Sequence, residues 1–359
     1  MYSVARYREL MRSLSAAGVQ LPLPQLRNLA MLCAALGKSP DCRLGTLALM
    51  LPLEGRRDSL IEHLRRSLRR SPSWERAYRP LAAHLLRDWP GVEIGLVMDR
   101  TDLAPRCSIL VVGVAYGKRV LPLIWKVLDM GGTGADCQIE LLRQIEPLIP
   151  PGRRVTFYGD TEFRAVALQS YCRDHGWHWH LGLKCDLRVR MESGQEKALI
   201  DLAVRPNGAP VYYQNVLLTA LHAFGPVNII ARWSRKDKWT RFFVTDLPAD
   251  RHAWRRGRKR FWIEPMFRDW KSSGFDLGSC RLNDHVALDG LVLGMAVTTL
   301  WMVNIGLALW HSSRRSQIDI PHKRDYSLFR LGRDYVQRAE LLDWTVPVQF
   351  TVDQPAPAR

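Results

Sequence analysis

The stretch from Val286 to Trp310 constrains the fold of this chain most, because its 25 residues carry a single charge, at Asp289. A segment of this length is long enough to cross a bilayer as a helix. Polar groups at Thr298, Thr299 and Asn304 interrupt it, and the sequence has no second such segment to pack beside it. We therefore predict a buried core helix and no membrane association, with a membrane-anchored protein as the alternative.

The overall charge of the chain indicates what class of molecule it binds. The chain has 52 Lys and Arg against 35 Asp and Glu, a net charge of +17, and such a surface attracts polyanions, nucleic acid first. The seven cysteines are scattered without a CxxC pair, which argues against a disulfide framework or a cysteine zinc site. The first residues lack the apolar run of a signal peptide, so we expect a cytoplasmic protein.

Residues 1–90 have helical spacing and a basic surplus. In DSLIEHLRRSLRR the leucines share one face and most arginines lie outside it, and the segment as a whole has 15 Lys and Arg against 7 Asp and Glu. We predict a helical DNA-binding domain, the alternative being an ordinary solvated helical face.

Residues 91–183 change to short apolar runs, IGLVMD, CSILVVGVAY and RVLPLIWKVL, followed by a helix, the strand RVTFYGD, a second helix and a further strand. This order predicts an α/β fold with a mixed sheet flanked by helices. Residues 184–248, with the strand-like runs KALIDLAV, VYYQNVLLT and VNIIARW, are predicted to be a β-rich insertion. Helices are expected in 249–315, and a C-terminal tail in 316–359.

Two aspartates follow buried strands. Asp99 ends IGLVM and Asp160 follows VTFYG, and open α/β sheets often place their sites at such strand ends. Each aspartate alone is a weak signal, because Asp often caps a turn. Glu162 lies close enough to Asp160 to be a rival third acid.

The segment RFWIEPMFRDWKS provides a third acid in a basic context. Glu264 lies four residues after Arg260 and seven before Lys271, a spacing that places them with Arg268 on one helical face. Pro265 disfavours helical backbone at Glu264, so the helix is expected to start or kink there. The alternative is a surface helix with internal salt bridges.

These three motifs in order resemble the DDE transposases of bacterial insertion sequences, in the group with a Tyr-x2-Arg-x3-Glu-x6-Lys signature. Arg260, Glu264 and Lys271 match that spacing, and FYGDTEF matches the context of the second acid. The Tyr position is Gly257 here, so the role of that Tyr is absent or falls to a neighbour such as Trp254. The resemblance covers roughly residues 92–310.

The resemblance implies a ribonuclease-H-like catalytic domain with a β-rich insertion between the second Asp and the Glu. It further implies that Asp99, Asp160 and Glu264 hold two Mg²⁺ ions, which Mn²⁺ can replace, for strand cleavage and strand transfer at the element ends. Arg260, Lys271 and Arg268 are the expected DNA-binding residues, and a homodimer on paired ends is the expected assembly. The alternative is a catalytically decayed protein that still binds DNA.

Two other features offer weaker candidates. From Arg232 to Lys271 there are 13 Lys and Arg against 5 Asp and Glu, and indoles among them can stack on unpaired bases or simply pack. These indoles are Trp233, Trp239, Trp254, Trp262 and Trp270. His175, His178 and His180 are close in sequence, but alternation along a strand explains them better than a metal site.

Overall fold

The structure, a computed structural model, describes residues 2–219, 222–310, 312–320 and 326–352. Six helices come first: α1 (Tyr2–Ala16), α2 (Leu23–Lys38), α3 (Leu44–Met50), α4 (Arg57–Arg69), α5 (Trp74–Ala77) and α6 (Arg79–Arg87). An alternating region follows: β1 (Glu93–Leu103), β2 (Cys107–Tyr116), β3 (Arg119–Leu128), α7 (Ala135–Ile145), β4 (Arg154–Gly159), α8 (Val166–Asp174) and β5 (His178–Leu183).

In the described part of the second half, five strands are followed by four α-helices. The strands are β6 (Arg188–Arg190), β7 (Glu196–Ala198), β8 (Val211–Leu218), β9 (Phe224–Ser234) and β10 (Trp239–Thr245). The helices are α9 (Arg251–Gly257), α10 (Ile263–Arg268), α11 (His285–Trp310) and α12 (Leu328–Leu342).

The ten strands of the described residues lie in one sheet, in the order β3-β2-β1-β4-β5-β10-β9-β8-β6-β7. β4 runs parallel to β1 and to β5, and the other pairs are antiparallel. The first five strands therefore form the expected mixed sheet of an α/β fold. The β-rich insertion extends it, because β10 pairs with β5.

Helices cover both faces of this sheet at β3. The Trp125 indole donates to Asp289 of α11 at 2.8 Å, while the next side chain, Lys126, donates to Glu140 of α7 at 2.7 Å. Because consecutive side chains of a strand point to opposite faces, α11 and α7 lie on opposite sides. Near-continuous burial of β2 agrees with cover on both faces.

The apolar segment is a helix inside the protein. α11 is long and apolar enough to cross a membrane, yet 94% of its most apolar window is buried, by α2, α4, α12 and β3. Its polar groups have partners: Thr298 and Thr299 donate to carbonyls one turn back at 2.7 Å, and Asn304 donates to the Thr351 carbonyl. The prediction of a buried core helix is confirmed.

Two helices approach closely through glycines. A Cβ on Gly306 of α11 would lie 1.9 Å from the Leu328 carbonyl oxygen, and one on Gly332 of α12 would lie 1.9 Å from that of Met302. Residues 328–342, which the sequence placed in a C-terminal tail, are therefore a packed helix. The apolar residues of this segment recur at helical spacing, a local signal that the assignment to a tail did not use, whereas the glycine contacts join segments distant in the chain. Residues 353–359 of that tail lie outside the described residues.

One strand expectation is wrong in detail. In KALIDLAV only the first two residues belong to β7, and Leu199–Leu202 form a 3₁₀ turn. The Asp201 carboxylate accepts a hydrogen bond from the Ala198 backbone N–H at 3.2 Å, which holds the chain in this turn.

Candidate functional site

Strand register places Asp99 and Asp160 side by side. The parallel pairing of β1 with β4 ends at Val97 and Tyr158, and each aspartate lies two residues further along its strand direction. Both carboxylates accept local backbone N–H groups: Asp99 from Arg100 at 2.8 Å and Asp160 from Glu162 at 2.7 Å. The two acids therefore lie at the same edge of adjacent strands.

The alternation of side chains places both aspartates on the same sheet face. A Cβ on Gly95 would meet Tyr158 and Lys259, so this face of β1 and β4 is covered by the segment that starts at Lys259. Asp99 lies four residues after Gly95 and Asp160 two after Tyr158, which returns both to that face. Arg100 points to the opposite face.

Glu264 reaches the same face from a helix. The chain from 251 to 273 is helical but changes type, with a 3₁₀ turn at Arg258–Trp262, α10, and a π-helical turn at Asp269–Ser273. Pro265 lies in the first turn of α10, where proline is tolerated, so the expected irregularity is a change of helix type near Glu264. α10 packs against β1 and β3, and the Glu264 side chain is exposed.

Arg260 binds the second aspartate. Its Nη2 lies 3.4 Å from Asp160 Oδ2, and its side chain is largely buried beside the ring of Phe261. The buried Nε of Arg260 has no hydrogen-bond partner among the described residues. The guanidinium therefore binds Asp160 through Nη2, while its Nε is buried without a partner among the described residues.

The charges of the three acids act on one another at Asp99. Burial raises the pKa of Asp99 to about 6, the charges of Asp160 and Glu264 raise it as well, and the Arg260 guanidinium and the Arg100 N–H oppose them. Carboxylates that repel one another in this way bind cations favourably. Three carboxylates are also the hard oxygen ligands that divalent ions such as Mg²⁺ prefer. Among the described residues, however, no three His, Cys, Asp or Glu side chains are arranged as a finished metal cluster.

Glu162, the rival third acid, is engaged elsewhere. Its Oε1 accepts the Thr133 backbone N–H at 2.8 Å and the Thr133 hydroxyl at 2.7 Å, and its Oε2 lies 3.2 Å from Arg100 Nε. This cluster lies on the Arg100 face of β1. The sequence does not predict this cluster, because Thr133 is far along the chain from both Glu162 and Arg100.

The residue at the signature Tyr position lies against a buried histidine. A Cβ on Gly257 would lie 1.9 Å from His180 Nε2, so no larger side chain fits there. Burial lowers the pKa of His180 to about 3, and the charge of Arg256 adds to this, so the imidazole is neutral. Trp254 packs on Phe243 and lies beneath the Arg232 guanidinium. It borders a small apolar cluster formed by Ile230, Phe243, Ala249 and Ala253.

Lys271 and Arg268 differ in their surroundings. Lys271 Nζ donates to the Asp102 backbone carbonyl at 2.8 Å, three residues along β1 from Asp99, whereas Arg268 is exposed. The π-helical turn that carries Lys271 is anchored by the buried ion pair of Asp269 with Arg119. The three basic residues of the predicted helical face therefore differ in what they contact: Arg260 binds Asp160, Lys271 binds β1, and Arg268 faces solvent.

The remaining candidates separate into individual contacts. Trp270 is fully buried and donates to Thr299 at 3.0 Å, whereas Trp239 is 46% exposed. Of the three histidines, His178 bonds Asp246 at 2.6 Å and His175 bonds the Tyr171 carbonyl at 2.7 Å, so they form no joint site.

Comparisons with known proteins identify a family for this chain. A family model described as Transposase DDE domain matches residues 112–301, a range that contains Asp160 and Glu264 and begins after Asp99. No curated protein matches the sequence significantly. The cryo-EM structure of a piggyBac transposase synaptic complex with hairpin DNA is similar over 94% of this chain and 79% of that chain, with a TM-score of 0.47 and 8% identity.

Proposed function

Because this chain belongs to the transposase DDE domain family, its function is that of a DNA transposase, and we propose that Asp99, Asp160 and Glu264 form its catalytic site. The reaction is metal-dependent cleavage and strand transfer at the ends of a bacterial insertion sequence of the Tyr-Arg-Glu-Lys group. One observation carries the proposal: on one sheet face, the signature arginine binds one acid, and two acids raise the pKa of the third.

The three carboxylates are the residues that would hold divalent ions, which DDE transposases generally use. Their oxygen donors and mutual repulsion fit Mg²⁺, with Mn²⁺ as a substitute. When bound, such ions activate water or a 3′-hydroxyl and stabilise the leaving oxygen of an in-line phosphodiester displacement. With its pKa near 6, Asp99 is mostly ionised at neutral pH and able to act as a ligand.

Arg260 has two tasks in this scheme. In the free protein its guanidinium reduces the repulsion between Asp160 and Asp99. Its side chain is 16% exposed, and the charge and planar shape of the guanidinium suit contact with a phosphate oxygen of the DNA strand. Lys271 and Arg268 would hold backbone phosphates further from the reacting bond.

The partner in this proposal is double-stranded DNA, as element ends and as target, and the location is the cytoplasm, at the nucleoid. The reaction acts on two element ends, and we propose a homodimer that places one catalytic site at each end. The net charge of +17 supports binding to the DNA backbone.

The test is cleavage of a labelled duplex that carries the gene's own flanking sequences, with Mg²⁺ or with EDTA. We expect Mg²⁺-dependent cuts at the element ends, lost in Asp160→Asn and Glu264→Gln at similar DNA affinity, and retained in Asp186→Asn, an exposed aspartate in the insertion. Full activity in either site variant would remove that residue from the site.

The second candidate is a catalytically decayed protein that binds DNA. It is favoured by Gly257, which stands at the signature Tyr position and lies so close to His180 that no Tyr side chain fits. Salt-sensitive DNA binding without any cleavage under either metal would support this candidate.

A further inference from the structure

A strongly basic cleft lies apart from the carboxylates, between the N-terminal helices and the loop that precedes α11. It has a volume of about 1330 Å³ and is bounded by α3, α4, the turn between β1 and β2, and residues 278–284. Six arginines line it: Arg43, Arg57, Arg65, Arg69, Arg106 and Arg281.

Carboxylates neutralise this cleft only in part. Of the described residues that line it, only Asp284 is acidic, and it pairs with Arg69 at 2.7 Å. Arg43 and Arg65 pair with Asp41 and Glu62, both at 2.6 Å. Arg57 and Arg281 are exposed and take part in no ion pair among the described residues. A concave surface with surplus positive charge concentrates the field that attracts an anion.

The cleft is connected to the catalytic strand. Arg106, in the turn after β1, donates to the backbone carbonyls of Cys280 and of Leu282, the latter at 3.1 Å. Asp99 lies four residues before Leu103, where β1 ends. Four residues of a strand span about 13 Å. Between them, Lys271 binds the Asp102 carbonyl at 2.8 Å. Basic residues therefore continue from the carboxylates to the cleft.

We infer that the DNA duplex leaving the catalytic site lies with its phosphate backbone in this cleft, and that Arg57 and Arg281 contact phosphates there. Nucleotides along one strand are spaced by about 3.4 Å, so contacts with the cleft begin about four nucleotides from the cleaved bond. The identity of the ligand as element DNA rests on the proposed function. The location of the contact rests on the charge and position of the cleft.

The first test measures affinity without catalysis. The variant Arg57→Gln/Arg281→Gln is compared with Arg76→Gln/Arg79→Gln. The second variant removes two exposed arginines of the same helical region that lie outside the cleft and have no ion pair within the described ranges. With a labelled duplex of the flanking sequence in EDTA, the cleft variant should bind about tenfold more weakly or worse. Its slope of log affinity against log salt should fall by about two. Equal effects in both variants would overturn the inference, and matching thermal midpoints exclude misfolding as the cause.

A second test locates the contact on the DNA. Neutral methylphosphonate groups replace single phosphates along the same duplex. In the wild type, affinity should fall where the replacement lies about four nucleotides or more from the cleaved bond, and in the cleft variant the same replacements should have no further effect. Losses of equal size in wild type and variant would contradict the cleft contact. Cleavage by wild type in Mg²⁺, lost in Asp160→Asn, tests the catalytic proposal separately.

Discussion

Asp99 is the buried acid of the proposed site, and the burial of its ionised carboxylate opposes folding. Its pKa is about 6 in the folded protein against an ordinary value of 3.8, so the folded state binds the proton more tightly. A raised carboxyl pKa means that stability is lost as the pH rises from about 4 to about 6, and the loss is complete above that range.

We therefore predict that Asp99→Asn stabilises the protein at pH 7.5 in EDTA, by about 1 to 3 kcal/mol, while it abolishes cleavage. The gain should shrink at pH 4.5, where less of the ionisation penalty remains. Chemical denaturation of both proteins at the two pH values measures this. If the variant is less stable than wild type at pH 7.5, favourable interactions of the ionised Asp99 carboxylate outweigh the free-energy cost of burying its charge.

The contact of Gly257 with His180 predicts a coupled pair. Gly257→Ala should destabilise the fold by about 1 to 3 kcal/mol, because its Cβ would lie 1.9 Å from His180 Nε2. In a His180→Ala background the same change should cost less, since the obstructing ring is gone. A double-mutant cycle of unfolding free energies measures the coupling, and additive effects would mean that the two residues do not compete for space.

At the scale of elements, the contact between α11 and α12 depends on two glycines. Gly306→Ala places a methyl group 1.9 Å from the Leu328 carbonyl oxygen, and backbone cannot move aside as a flexible side chain can. We expect a loss of about 1 to 3 kcal/mol or more in the free energy of unfolding, measured with urea.

The matched control for this substitution is Gly132→Ala. Nothing lies within 4 Å of the added Cβ, and the residue is exposed, so its effect should stay within about 0.5 kcal/mol. Equal stability of the two variants would mean that α11 and α12 can move apart without a cost in the free energy of unfolding, and the close glycine contact would then contribute nothing to stability.

At the scale of the whole molecule, the N-terminal helices share one core with the sheet. α2 and α4 pack on α11, and α11 packs on β3. The Trp74 indole and the Tyr78 hydroxyl donate to carbonyls of β3 at 2.9 Å and 2.8 Å. These helices therefore bury the apolar helix as well as carrying the basic cleft.

From this shared core we predict that a fragment of residues 91–352 is insoluble or unfolded, because it exposes the face of α11 that α2 and α4 cover. The full chain should unfold in one cooperative calorimetric transition. A soluble 91–352 fragment that retains its own cooperative transition would instead establish the N-terminal helices as an independent domain.

Much of the architecture was accessible from local patterns. Apolar runs of strand length predicted β1 to β5, and one nearly uncharged segment predicted the buried helix α11. The three acids are candidates because two follow buried strands and the third stands in a basic helical context. Such signals survive in sequence because backbone period and burial act over a few residues.

The sequence by itself determined which side chains are chemically competent, since residue type and spacing fix charge and strand or helix period. Only the tertiary structure decided which of them meet. The pairing of β1 with β4 aligns Asp99 and Asp160, Arg260 is directed onto Asp160, and Glu162 is occupied by Thr133 and Arg100. These contacts join residues far apart in the chain, and their energies depend on burial and distance, which packing alone sets.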